Sequence, residues 1–265
     1  MRLSIVIPAY NEELRIGKTL DEYLKFFKNI RQLNMLNFEI LVVMNACKDN
    51  TLDVVKRIRV KNKEINYLDY KEGGKGFAII QGFKNALKRN NDIIGFIDAD
   101  GATPPEAFYD LVKILIINQD SAGVIASRWK EESKIKTKQT KTRRFLSRGF
   151  NFLVRSMFLF PYSDTQCGAK VFRRMALEKT INQFGVTRWA FDVDLLYSMK
   201  KEGFKIKDVS TIWEDKENTK LNIIKVPFEM FSGILRLRLI HSPFKFVVDA
   251  YDSLPDIIKI HKKII

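Results

Sequence analysis

The chain is poor in cysteine, in long apolar runs and in the usual phosphate-binding signatures, and each shortage removes a class of answer. Only Cys47 and Cys167 occur in 265 residues. Two lone thiols make neither a disulfide framework nor a paired zinc spacing, and they suit a reducing compartment. No run of about 18 apolar residues is present, which predicts no membrane-spanning helix. The sequence opens directly on the strand-like LSIVIP, without the basic and apolar regions of a secretion signal. A Walker A loop built on GGKG (73–76) would need glycine at 69 and a hydroxyl residue at 76, where Asp69 and Gly76 stand. A dinucleotide fingerprint would want glycine at 79, where Ile79 stands, so hydride transfer is disfavoured. Internal repeats and low-complexity tracts are also missing.

What is present is a foldable chain, 46% hydrophobic and 29% charged, with a formal net charge of +15. That length allows one large domain with a substantial core. The charge attracts polyanions: nucleic acid, anionic lipid or phosphorylated substrates. The run KIKTKQTKTRRFLSR (134–148) holds seven basic residues and no acid; by itself it also suits a solvated loop.

Apolar runs at 3–8, 38–44, 65–70, 93–98 and 122–127 read as buried strands, and amphipathic helices are expected at about 13–30, 51–60, 77–89 and from the prolines at 104–105 onward. This alternation predicts a mostly parallel sheet with helices on both faces. Such sheets bind ligands beyond the carboxyl ends of their strands. PAYNE, NACKDNT, GGKG, DADG and SRW each follow a strand. Beyond about residue 130 the pattern loosens, with helices expected at 143–160 and 191–201 and an amphipathic helical tail from Leu221. The expected division is a catalytic domain over 1–220 and a helical extension over 221–265.

Asp98 and Asp100 stand at the end of the fourth strand in IIGFIDADGATPPE. Carboxylates at i and i+2 of an extended chain point to one side, repel each other and resist desolvation. A hard divalent cation, Mg²⁺ or Mn²⁺, completed by substrate phosphates relieves both problems, and no Lys or Arg lies nearby in sequence to do so instead. A plain acidic turn is the alternative. GGKG leads into a helix N-terminus with one lysine, which suits an anionic group or a flexible turn. In PAYNE, Asn11 also suits a helix N-cap.

IVIPAYNEE, GKG and DADG, in that order and spacing, resemble the family 2 glycosyltransferases of the GT-A fold. DTQCGAKVF (164–172) and RWAFDVDLLY (188–197) resemble the dolichyl-phosphate β-glucosyltransferase and dolichyl-phosphate mannose synthase group. The resemblance implies an inverting transfer of one sugar, glucose favoured, from a nucleotide-sugar, UDP favoured, to a polyprenyl or dolichyl phosphate, giving a lipid-linked donor for glycan assembly such as N-glycosylation. By motif match, Pro8, Ala9, Tyr10 and Glu12 line base and ribose, Lys75 lies near the nucleotide, and Asp98 and Asp100 hold the metal. Arg128 with Arg143, Arg144, Ser147 and Arg148 would hold the acceptor phosphate. Many relatives carry DDGS after the second strand; here Met44, Asn45, Ala46 and Cys47 stand there, and Asn45 offers a donor and an acceptor to a base edge.

A phosphate monoester, with a second pKa near about 6, needs little help from a base but does need arginine forks to bring it in. Asp192 and Asp194 point about 200° apart on a helix. Asp192, on the interior face with Leu196, is the choice for an acid-base or orienting role, unless it merely stabilises a helix start. Asp164, Gln166 and Trp189 are expected to shape the sugar or acceptor pocket. The tail mixes Phe, Ile and Leu with Lys and Arg, as an interfacial segment does. The expected location is peripheral, on the cytoplasmic face of a membrane. N-acetylglucosamine or mannose transfer, or a soluble hydroxyl acceptor, remain as alternatives within the fold. A basic nucleic-acid binder is the alternative from another class, but it would not need paired carboxylates at a strand end, and no aromatic-basic reading surface is evident.

Overall fold

The computed structural model describes residues 1–136, 141–185, 190–214 and 225–253. In chain order the elements are β1 (Arg2–Ala9), α1 (Ile16–Gln32), β2 (Asn37–Asn45), α2 (Thr51–Lys61), β3 (Ile65–Tyr70), α3 (Lys75–Lys88), β4 (Ile93–Phe96), α4 (Pro105–Ile117) and β5 (Gly123–Ser127). They continue as β6 (Lys134–Ile135), α5 (Lys141–Phe158), β7 (Lys170–Arg173), α6 (Arg174–Thr180), α7 (Phe191–Lys201), β8 (Ile206–Ser210), β9 (Ile212–Trp213), α8 (Lys225–Ile240) and α9 (Lys245–Ser253).

Seven strands form one sheet in the order β3-β2-β1-β4-β7-β5-β8, and β6 pairs with β9 in a small second sheet. All pairings in the large sheet are parallel except those of β7, which runs antiparallel between β4 and β5. The sequence reading left 164–172 as a short unassigned segment; it supplies this inserted strand.

The apolar runs are continuous because both sheet faces are covered. Along β2, Ile40, Val42 and Met44 enter the core shared with α1, α2 and α4. Leu41 and Val43 enter the opposite core, shared with α3, α6, α7 and α8. The first layer is aromatic: the ring of Phe27 lies 5.5–6.4 Å from those of Phe38, Phe108, Tyr109 and Tyr23. α4 starts at its prolines as expected, with Pro104 as N-cap. α1 begins later than expected, at Ile16, and Asn11 is not its cap.

One correction bears on the site. β4 ends at Phe96, not 98, so Asp98 stands after the strand and Asp100 sits in a turn. The tail, expected to be helical, holds α8 and α9, and 221–224 and 254–265 lie outside the described residues. Ile234 and Leu237 of α8 are buried in the second core with Phe191 of α7.

α3 lies close against the sheet at Gly82, where a Cβ would fall 2.4 Å from Val6 Cγ1 and 3.2 Å from Val43 Cγ2. Gly82→Ala is therefore expected to lower stability by about 1–3 kcal/mol through overpacking, measured by urea denaturation.

Candidate active site

The strand order reverses between β1 and β4, and the crevice beyond their carboxyl ends is where open sheets of this kind bind ligands. On the β1 side, Pro8 and Ala9 close the strand and Tyr10 stands 55% exposed. Asn11 turns the chain through a left-handed conformation, φ 54°, and its Oδ1 accepts the Lys48 N–H at 2.8 Å. Glu12 accepts two 2.7 Å bonds from Arg15. Burial raises its pKa, and the Arg15 fork opposes that. Asn45 is buried: its Nδ2 donates to the Ala9 carbonyl at 2.9 Å, and its Oδ1 accepts the Gly74 N–H at 3.0 Å. The amide expected at a base edge instead stitches the ends of β1 and β2 to the GGKG loop. Gly74, at φ 136°, turns that loop so that α3 starts at Lys75.

Lys75 supplies the cation that the local sequence around Asp98 lacks: its Nζ reaches Asp98 Oδ1 at 2.6 Å. Desolvation opposes its charge, but Asp98 and Asp192 outweigh that and hold the ammonium above the usual lysine range. Asp98 lies so close to the chain before β7 that a Cβ on Gly168 would fall 1.9 Å from its Oδ2, which is why DTQCG carries glycine there. Asp100 caps its own turn by accepting the Ala102 N–H at 3.0 Å. Its pKa is raised, first by burial and then by repulsion from Asp98.

Lys170 escaped the sequence reading. It is fully buried on β7, donating to the Cys167 carbonyl at 2.7 Å and to Asp192 Oδ1 at 2.5 Å. Its ammonium lies 5.3 Å from the centre of the Phe96 ring, and that of Lys75 lies 5.9 Å from the same ring. A lysine inside the apolar GAKVF strand was the available signal. Asp192, expected in an acid-base or orienting role, stands here as one member of an ion pair. The reading that set Asp194 on the opposite face was right in direction, yet that face is buried too: Asp194 accepts the Gly185 N–H at 2.7 Å and meets His241, just after α8, at 3.2 Å.

At the end of β5, Arg128, expected to hold the acceptor phosphate, is bound to Asp164. Its Nε and Nη2 donate to Asp164 at 2.7 and 3.1 Å, and its backbone N–H adds a third bond at 3.1 Å. Its guanidinium lies 5.5 Å from the ring centres of both Trp129 and Trp213. Burial opposes the charge on Asp164, but Arg128 outweighs it and lowers the pKa. Asp164 thus shapes the wall through Arg128. Gln166 gives it a backbone N–H at 3.1 Å, while the Gln166 side-chain nitrogen is buried without a partner.

Arg148 of α5 stacks on the far partner, 5.0 Å from the Trp129 ring, and is exposed, as is Arg144; Ser147 is half-buried. The Arg143 side chain and all of Trp189 lie outside the described residues. Asn151 anchors α5 beneath this wall by bonding the Ser163 carbonyl at 2.6 Å and the Thr165 N–H at 3.1 Å.

The described residues contain no cluster of three or more potential metal ligands. The Asp98–Asp100 pair still fits a hard divalent ion completed by substrate phosphates and water. It offers oxygen donors only, Gly168 clears room for one carboxylate, and Asp100 makes no direct ion pair among the described residues. A sheet of this topology is that of the GT-A fold, and solved members of that fold align over most of the chain. Glucosyl-3-phosphoglycerate synthase from Mycobacterium tuberculosis superposes with a TM-score of 0.63 at 17% identity, covering 90% of this chain and 79% of that one. A mannosyltransferase from Pyrobaculum calidifontis, solved with GDP-Man and Mn²⁺, superposes at 0.54 and 18% identity, covering 96% and 65%.

The family model for glycosyl transferase family 2 matches residues 4–181, and the chain belongs to that family. Its similarity extends to dolichyl-phosphate beta-glucosyltransferase ALG5D of Trichomonas vaginalis, 32% identical over 244 residues, 90% of this chain and 73% of that relative.

Arg128→Ala is expected to strand the buried Asp164 charge and lower stability by about 3–5 kcal/mol, read as a shifted denaturation midpoint. A free phosphate ligand at the surface would leave the midpoint unmoved.

Proposed function

We propose that this glycosyltransferase moves glucose, with inversion, from a UDP-sugar to the phosphate of a polyprenyl or dolichyl lipid. The observation that carries the reading is the 32% identity to a dolichyl-phosphate beta-glucosyltransferase across nine-tenths of the chain. The product would serve glycan assembly such as N-glycosylation.

In this reading Pro8, Ala9, Tyr10 and Glu12 line base and ribose, and Asn45 fixes the loop beside them. Asp100, with Asp98, holds Mg²⁺ or Mn²⁺; the mannosyltransferase solved with Mn²⁺ supports a divalent ion. The bound ion supplies a Lewis acid for the charge that grows on the leaving diphosphate. Lys75 adds a fixed positive charge on the same side. The acceptor phosphate is already mostly dianionic at neutral pH, so no general base is required of Asp192. What the acceptor needs is orientation, and Arg148, held on the Trp129 face, and Arg144 meet it with exposed guanidinium groups. Arg128 and Asp164 form the wall that keeps Trp129 in place.

The lipid acceptor makes sense of the apolar surface. Phe152 of α5 and Leu159 just after it, Phe231 and Leu235 of α8, Phe244 just before α9 and Phe246 within it are between 43% and 78% exposed. On α5, Phe152 shares a helical face with Arg144, Arg148 and Arg155. Apolar side chains among cations suit a peripheral site at an anionic lipid surface, here the cytoplasmic face, and no described helix is long and apolar enough to cross a membrane. The net positive charge then serves lipid rather than nucleic acid.

The test is transfer from radiolabelled UDP-glucose, UDP-N-acetylglucosamine and GDP-mannose to a short polyprenyl phosphate with Mg²⁺ or Mn²⁺. Label should enter the lipid from UDP-glucose, vanish with chelator, and fall at least about 100-fold in Asp100→Ala. Donor hydrolysis without labelled lipid would mean a different acceptor. Sedimentation with vesicles containing phosphatidylserine should pull down the protein, and Phe152→Asp with Phe246→Asp should weaken that binding about tenfold or more.

A further inference from the structure

The site contains two lysines where one has an evident task. Lys75 stands at the crevice on Asp98, while Lys170 is sealed on a central strand with no water to solvate it. A buried ammonium is expensive, and an ion pair with Asp192 recovers that expense incompletely compared with packed apolar side chains. Stability alone does not explain why a strand otherwise filled by Ala169, Val171 and Phe172 should carry lysine.

The geometry around Phe96 points to another reason. Both ammonium groups lie within 6 Å of its ring centre, and Asp192 is among the charges acting on each of them. Asp192 therefore has two possible partners, Lys75 and Lys170. Lys170 is the nearer, at 2.5 Å, and it is fixed by a second bond to the Cys167 carbonyl. We infer that Lys170 is a positioning residue of the donor site: by occupying Asp192, it leaves Lys75 on Asp98, where its charge faces the nucleotide diphosphate. Without Lys170, the buried and unpaired Asp192 takes Lys75 as its partner and draws it from the crevice toward the core. The chain of charges Lys170, Asp192, Lys75, Asp98 alternates in sign, and the identity of its innermost member decides where the third one stands.

The inference rests on the donor half of the proposed function and not on the lipid acceptor. Its test is calorimetric binding of UDP with Mn²⁺, which needs no turnover. Lys170→Met should weaken UDP binding about tenfold or more, while Lys170→Met/Asp192→Asn, which removes the competitor together with its partner, should return it to within about threefold of wild type. Near-native binding by Lys170→Met would overturn the inference. Equal loss in the single and double variants would also overturn it, because that pattern marks damage to packing rather than misdirection of Lys75. If wild type prefers GDP, the same comparison with GDP decides. Binding of neither nucleotide by wild type would overturn the inference together with the donor reading. Should wild type bind UDP yet label no polyprenyl phosphate, the acceptor reading fails alone, and Lys170 is still judged by the binding pattern.

Discussion

Two carboxylates side by side at the mouth of a sheet repel each other, and much of this molecule is arranged around that repulsion. Asp98 and Asp100 follow a strand whose register is fixed by β1 on one side and β7 on the other. Burial and mutual repulsion both push the Asp100 carboxyl toward its neutral form. Lys75 neutralises one member of the pair at 2.6 Å, and the glycine at 168 lets that member approach the chain entering β7. Within the immediate cluster, Lys75 and Lys170 bring two positive charges against three negative ones from Asp98, Asp100 and Asp192. The remainder, one negative charge beside a crevice, is what a divalent ion and an anionic diphosphate can share.

The parts of this arrangement that follow a local pattern were legible in the sequence. Continuous apolar strands alternating with helices specified the parallel half of the sheet, and the strand ends located PAYNE, GGKG and DADG at one edge. The parts that depend on distant partners were not. β7 is four residues long and antiparallel, and its place between β4 and β5 is a fact of pairing that no periodicity expresses. Lys75 and Asp98 are far apart in the chain, so the absence of a nearby cation in sequence said nothing about space. Asp164 was expected at a pocket, but its partner, Arg128, is 36 residues away and had no local signal. Asn45 read as a ligand because its type suits a base edge, whereas the fold needed a buried amide to hold two strand ends and a loop together. The one overlooked signal was chemical: Lys170 in a run of apolar residues, where a charge is costly enough to require a reason.

The charged side chains sort into two groups by what holds them. Lys75, Arg128 and Lys170 each meet a carboxylate within 2.7 Å. Arg144 and Arg148 are exposed, and among the described residues neither pairs with a carboxylate. Paired cations are held in place and contribute shape; unpaired ones contribute field. Arg128 illustrates the first use, since its fork on Asp164 fixes a stack in which Trp213, Arg128, Trp129 and Arg148 follow one another at 5.0–5.5 Å. The last of that stack is exposed, while Arg128 is tied to Asp164.

That division bears on the chemistry. If the acceptor is a phosphate and the donor a diphosphate, the reaction asks two anions to meet, and their repulsion opposes the approach before any bond changes. Positive charge on only one side would bind one substrate and leave the other excluded. In that reading the donor side would carry a lysine and a carboxylate pair suited to a metal ion, while the acceptor side would carry Arg144 and Arg148, which among the described residues pair with no carboxylate. The helix that presents those arginines beside Phe152 would then also face the surface from which a lipid phosphate comes. The same cations that would attract an anionic membrane are then the ones that would receive the headgroup, so membrane attachment and acceptor capture need not be separate devices. The buried pairs behind them would set the geometry, and the exposed arginines in front would set the direction of entry.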